Sequence, residues 1–135
     1  MLLLDASVWV ASGTPSSSYR AASSALILDH RVPLAALDLT FYEVANAVGV
    51  RYSQPEEAGK MTRVIKRRCG DRGLVGVDAD LVDSAIDLAA EHGLTAYDAA
   101  YVAAARRDDM TLVSIDIADL VSKGLAVTPD AAVYP

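Results

Sequence analysis

Short apolar runs alternate with stretches of helical periodicity from one end of this sequence to the other, and that alternation restricts the fold more than any other feature. Residues 2–4, 32–37, 74–77, 111–114 and 125–127 are runs bounded by turn residues and read as five short strands. Between them, helical spacing covers 6–12, 19–30, 39–52, 55–68, 78–92, 95–108 and 118–123. Pro55 followed by Glu56 and Glu57 marks one helix start, Asp78 caps the next helix and Gly93 ends it. The runs do not alternate apolar with polar residues, so each strand is expected to be buried on both faces. Strands joined through helices form parallel sheets with helices on both sides. The expectation is an α/β fold, a three-layer α/β/α sandwich around a five-stranded, mainly parallel sheet.

The chain has 135 residues, enough for one continuous core, so residues 1–135 are expected to form a single domain. A hydrophobic fraction of 53% with 22% charged residues excludes a disordered chain. The N-terminus lacks a basic segment and Asp5 stops its apolar run, so neither a signal peptide nor a membrane span is expected, and a cytoplasmic location follows. Cys69 is the only cysteine, which rules out an intrachain disulfide and a cysteine-rich metal site. A formal charge of -6 argues against holding nucleic acid by bulk electrostatics. Basic residues are nevertheless clustered, with Arg63, Lys66, Arg67, Arg68 and Arg72 in one short stretch that either guides RNA or is a solvated helix face.

In an open parallel sheet, ligands bind outside the carboxyl ends of the strands. Asp5 and Asp116 follow the first and fourth strands directly. Asp98 sits in the first turn of the helix leading into the fourth strand, and Glu43 in an early turn of the helix after the second. Four segments should therefore bring their acids to one rim. Two carboxylates about 5 Å apart repel by roughly 3 kcal/mol at an effective dielectric of about 20. A divalent cation with a preference for oxygen ligands, Mg²⁺ or Mn²⁺, relieves that repulsion and equips the site for phosphodiester hydrolysis.

Taken one at a time, three of these acids have a second reading. Asp5 and Asp116 can cap the helices that follow them, and Thr95 with Asp98 scans as a capping box. Glu43 lies within a helix beside an apolar face, with Asn46 placed to orient it. Ser7 and Ser114, each two residues from an aspartate, are candidate hydrogen-bond donors to the acids. His30 and His92 end helices and receive no catalytic role. Trp9 and the tyrosines are assigned to core or an interface.

The segments Leu-Asp-Ala-Ser-Val at 4–8, Glu43-Val-Ala-Asn46-Ala-Val, Thr95-Ala-Tyr-Asp98-Ala-Ala-Tyr-Val-Ala-Ala-Ala and Leu112-Val-Ser-Ile-Asp116 together resemble the PIN-domain ribonucleases, in particular VapC-type toxins of bacterial toxin–antitoxin pairs. The resemblance implies Asp5, Glu43, Asp98 and Asp116 as catalytic, metal-binding carboxylates, with Asp119 as an extra ligand and Ser114 in the place of the family's small hydroxyl residue; by their positions Ser7, Asn46 and Thr95 are expected to support the acids. It further implies an Mg²⁺- or Mn²⁺-dependent endoribonuclease that forms a homodimer. Its partner would be a VapB-type antitoxin whose tail reaches the acidic rim and which binds operator DNA.

Two other readings stay open at the level of sequence. A phosphoaspartyl phosphatase or receiver domain would use Asp5 as nucleophile, but position 7 is Ser and no lysine ends the last strand. A non-catalytic module would use the same acids to dock RNA or basic antitoxin tails.

Overall fold

The computed structural model describes residues 1–134. Four strands are present, Leu2–Leu4 (β1), Leu34–Leu37 (β2), Leu74–Val75 (β3) and Thr111–Val113 (β4), all parallel, in the order β3-β2-β1-β4. The three leucines of β1 place it at the centre, with Leu2 in register with Leu34 on one side and Thr111 on the other. Side chains of a strand alternate between faces, and the two cores follow that rule. Leu3 joins the core beneath Ala79–His92 (α5) and Ala96–Arg107 (α6). Leu2 and Leu4 join a second core with Trp9, Ile27, Val44 and Ile65, from helices on the opposite face. Those helices are Ala6–Ser12 (α1), Arg20–Leu28 (α2), Asp38–Val44 (α3) and Pro55–Gly73 (α4). The three-layer sandwich is thus present.

The sheet has four strands where the sequence suggests five. Residues 125–127 contribute an isolated bridge, Val113 to Val127, made by the Ser114 amide to the Val127 carbonyl at 3.0 Å and the Val127 amide to the Leu112 carbonyl at 2.9 Å. Gly124 turns the chain at φ 71, and Pro129, which has no amide proton to donate, follows two residues after the bridge. Little chain remains between them to extend the pairing.

The helix expected over 39–52 changes character along its length. After α3 the backbone widens into a π-helical segment, Ala45–Arg51, in which the Tyr52 amide reaches back to the Ala47 carbonyl at 3.2 Å. Among the helix ends, Asp78 accepts from the Leu81 amide at 2.8 Å and Thr95 from the Asp98 amide at 3.1 Å, as their sequence positions suggest.

The basic stretch on α4 is used for structure at one position. The Arg68 guanidinium donates to the Ile27 carbonyl, and to the Asp29 and Val32 carbonyls at 3.1 Å each, tying together the end of α2 and the turn into β2. Helix α4 runs back to the amino end of β3, so its basic C-terminal half lies at the sheet edge opposite the strands' carboxyl ends. That position does not suit the RNA-guiding alternative. Where α4 meets the sheet, Gly73 is so close to β2 that a Cβ would lie 2.2 Å from the Leu34 carbonyl oxygen.

Candidate active site

Strands β2 and β3 lie to one side of β1 and β4 to the other, so chain order reverses between β1 and β4. A crevice opens at that switch point beyond the carboxyl ends. Asp5 and Asp116 follow those two strands.

Asp5 is buried at 6% exposure. Its Oδ1 accepts from the Ser7 hydroxyl and, at 3.4 Å, from the Val8 amide, so it does cap α1. The Ser7 hydroxyl lies 3.5 Å from that of the buried Ser114 and accepts from the Ile115 amide at 3.1 Å, binding the ends of β1 and β4 together. Burial pushes the Asp5 carboxyl from 3.8 up to about 6; the hydroxyls of Ser114 and Ser7 pull it down and the charge of Glu43 adds to the rise.

Glu43 projects from α3 and is partly buried. The Tyr101 hydroxyl donates to its Oε1 at 2.6 Å and lies 2.8 Å from the buried Thr40 hydroxyl. Tyr101 therefore orients Glu43 across the sheet, a part the sequence suggests for Asn46; the Asn46 side chain instead lines an adjoining cleft. Burial raises the Glu43 carboxyl, Tyr101 counters it, and Asp98 raises it further. Burial and Glu43 hold the Tyr101 phenol far above its ordinary range, so it stays a proton donor. The signal for Tyr101 was its position three residues after Asp98, on the same side of α6. Its apolar neighbours hid it.

Asp98, Asp116 and Asp119 form the tightest group, each offering a carboxylate oxygen within 4.8 Å of the others. Asp116 accepts the Asp119 amide at 3.0 Å and receives its own orientation from Ser114, whose hydroxyl accepts the Asp116 amide at 3.0 Å. Burial raises the Asp98 carboxyl, as do the charges of Asp116 and Asp119, while Thr95 lowers it. The capping box is half formed: Thr95 receives the Asp98 amide, but among the described residues no bond returns from Asp98, whose carboxylate belongs to the acidic group. The five acids form one chain of mutual repulsion, from Asp5 through Glu43 and Asp98 to Asp116 and Asp119. An all-oxygen, all-anionic donor set of this kind suits a hard divalent cation.

The fold and this site define a parallel α/β protein with a carboxylate cluster at its topological switch point. The chain belongs to the PIN domain family, whose model matches residues 2–118. Among solved structures it is similar to a toxin–antitoxin complex from Klebsiella pneumoniae, at 19% identity and TM-score 0.70, covering 96% of this chain and 98% of that one. It is similar to VapC20 of Mycobacterium tuberculosis, a sarcin-ricin loop cleaving toxin, at 16% identity and TM-score 0.72 over 92% and 95% of the two chains. PAE2754 of Pyrobaculum aerophilum shares 27% identity at TM-score 0.64, over 96% and 90%. A search of curated proteins gives no match.

Proposed function

We propose that this protein is a metal-dependent endoribonuclease toxin of the VapC type, restrained by a cognate antitoxin. The observation that carries the reading is the convergence of Asp98, Asp116 and Asp119 within 4.8 Å, beside Asp5 and Glu43, at the sheet's switch point. Asp5, Glu43, Asp98 and Asp116 are the proposed catalytic set and would hold Mg²⁺ or Mn²⁺, with Asp119 as a further ligand. Burial raises the carboxyls of Asp5, Glu43 and Asp98, neighbouring acids add to the rise, and a bound cation would offset both. When bound, the cation supplies Lewis acidity for phosphodiester hydrolysis.

The chain's own residues do the positioning. Ser7 and Ser114 lock the ends of β1 and β4 so that Asp5 and Asp116 face one crevice. Tyr101 fixes Glu43 and, as a persistent donor, leaves it an acceptor. Asp5 retains a proton up to about pH 6 and is a carboxylate above it, available to ligate or to take a proton from water.

The similar fold found in a toxin–antitoxin complex supports an antitoxin partner. Exposed Tyr42, Tyr97 and Val82 border an apolar groove of about 360 Å³ with Leu39 and Val77, a surface suited to a protein partner, be it antitoxin or a second copy in a homodimer.

Incubation of a structured RNA with the protein and Mg²⁺ tests the reading. Cleavage is expected with Mg²⁺, is stopped by EDTA, and falls at least a hundredfold, roughly, in Asp5→Asn and Asp98→Asn, the loss typical of removing a principal electrostatic group. Cleavage that survives both chelation and substitution refutes it.

A further inference from the structure

Beside the acids lies a cleft of about 400 Å³, within the size range of about 300–1,000 Å³ usual for ligand sites. It is lined by Ser7 and Glu43 from the acidic site, by Asn46, Ala47 and Arg51 of the π-helical segment, and by Tyr52, which ends that segment. Arg51 is the one cationic side chain among its described lining residues. It is exposed, and among the described residues it makes no salt bridge, whereas Arg31 and Arg107 are paired with aspartates and Arg68 is spent on carbonyls.

The backbone explains why Tyr52, and not Val50, joins Arg51 there. In an α-helix the side chains one turn beyond Ala47 are Val50 and Arg51, three and four residues on. A π turn closes over five residues, so the neighbours one turn on become Arg51 and Tyr52. The cleft follows the second pattern: Ala47, Arg51 and Tyr52 line it together, while Val50 is turned out to a different surface beside Pro55 and Gly59. π-Helical turns are rare and concentrate at functional sites. Here the widening exchanges the aliphatic Val50 for the phenol of Tyr52, while Arg51 keeps its place one turn from Ala47.

We propose that Arg51 anchors a phosphate of the RNA strand next to the scissile one and that Tyr52 stacks on the base it carries, making the π-helical segment the element that positions substrate. This rests on the endoribonuclease reading for the nature of the strand. A molecule of formal charge -6 needs a local cation to keep a polyanion near a carboxylate cluster, and a planar guanidinium pairs with phosphate through two parallel hydrogen bonds. A tyrosine beside it adds the sequence-tolerant stacking used for single strands.

The test measures fluorescence anisotropy of a labelled single-stranded 2′-O-methyl RNA, which resists cleavage, with the full chain in Mg²⁺. Arg51→Gln is expected to weaken binding about tenfold and to lower the slope of log affinity against log salt by about 0.7, one phosphate contact on a single strand. Arg51→Lys should restore the salt slope but only part of the affinity, and Tyr52→Leu should weaken binding without changing the slope. Lys60→Gln, which removes an exposed cation that is paired with Glu57 and lies outside this cleft, should leave binding unchanged. Equal binding by Arg51→Gln and the wild type, or no binding by the wild type, overturns the proposal. RNA binding that depends on Arg51 in a protein that cuts nothing would uphold this inference while removing the nuclease reading. Cleavage with Arg51→Gln unchanged in KM and in binding would do the reverse.

Discussion

Asp5 shows what one residue gives up for a site. Its folded carboxyl binds a proton more tightly than its unfolded one, so its favourable effect on stability is complete below about 3.8 and is lost as pH rises through about 6. In the metal-free protein at pH 7.5 the buried charge is a liability of about 3 kcal/mol, from a shift of roughly two pH units. Asp5→Asn keeps an acceptor for the Ser7 hydroxyl and removes that charge. Urea unfolding in EDTA at pH 7.5 should therefore find Asp5→Asn more stable than the wild type, with the difference vanishing near pH 4; a destabilised variant at both pH values would contradict the assignment. Tyr101→Phe tests the opposite case. It leaves Thr40 and Glu43 without the hydroxyl between them and should cost about 1–3 kcal/mol, read as a lower urea midpoint. Because Glu43 then loses its orienting donor, Mg²⁺ affinity by calorimetry should drop about 10–100-fold.

At the scale of elements, Arg68 on α4 joins the end of α2 to the entry of β2 through three backbone carbonyls. Arg68→Gln cannot span them, and the variant should lose about 2–3 kcal/mol, the usual worth of charged hydrogen bonds and of carbonyls left partly unpaired. Thermal unfolding checks this, with Arg67→Gln, on an exposed neighbour, expected to stay within about 0.5 kcal/mol of wild type. The bounds of β1 and α1, the Asp78 and Thr95 caps, and the positions of Asp5 and Asp116 at strand ends were legible because each depends on local chemistry: an apolar run, a capping oxygen, a turn. The π-helical segment was not. Phe41, Val44, Ala45, Val48 and Tyr52 recur at steps of one, three and four, which a straight α-helix satisfies equally well, so their spacing does not distinguish the two. The role of Arg68 was hidden for a related reason, since its partners lie some forty residues away and are backbone atoms that carry no sequence signature.

On the scale of the whole molecule, the sheet order β3-β2-β1-β4 turns four distant sequence segments into one crevice, and two separate cores hold the strands from both faces. The acids are thus fixed by a frame of strands and helices rather than by each other, and the proposed cation would relieve their repulsion. Folded protein that binds a ligand the unfolded chain does not is stabilised by mass action, by about 2.7 kcal/mol at a hundredfold excess over the dissociation constant. For a chain of this size that is an upward shift in Tm of about 5–10 °C. If Asp5 is a ligand as proposed, the shift depends on pH, because protons and cation would compete for the same oxygens and Asp5 holds its proton below about 6. Mg²⁺ should therefore raise Tm by the full amount at pH 7.5 and by less than half of it at pH 5, while Asp98→Asn, which breaks the tightest carboxylate group, should show almost no shift at either. Differential scanning calorimetry at the two pH values decides the matter. Equal shifts in wild type and Asp98→Asn would mean that the cation binds elsewhere on the surface, and a shift independent of pH would mean that Asp5 takes no part in holding it.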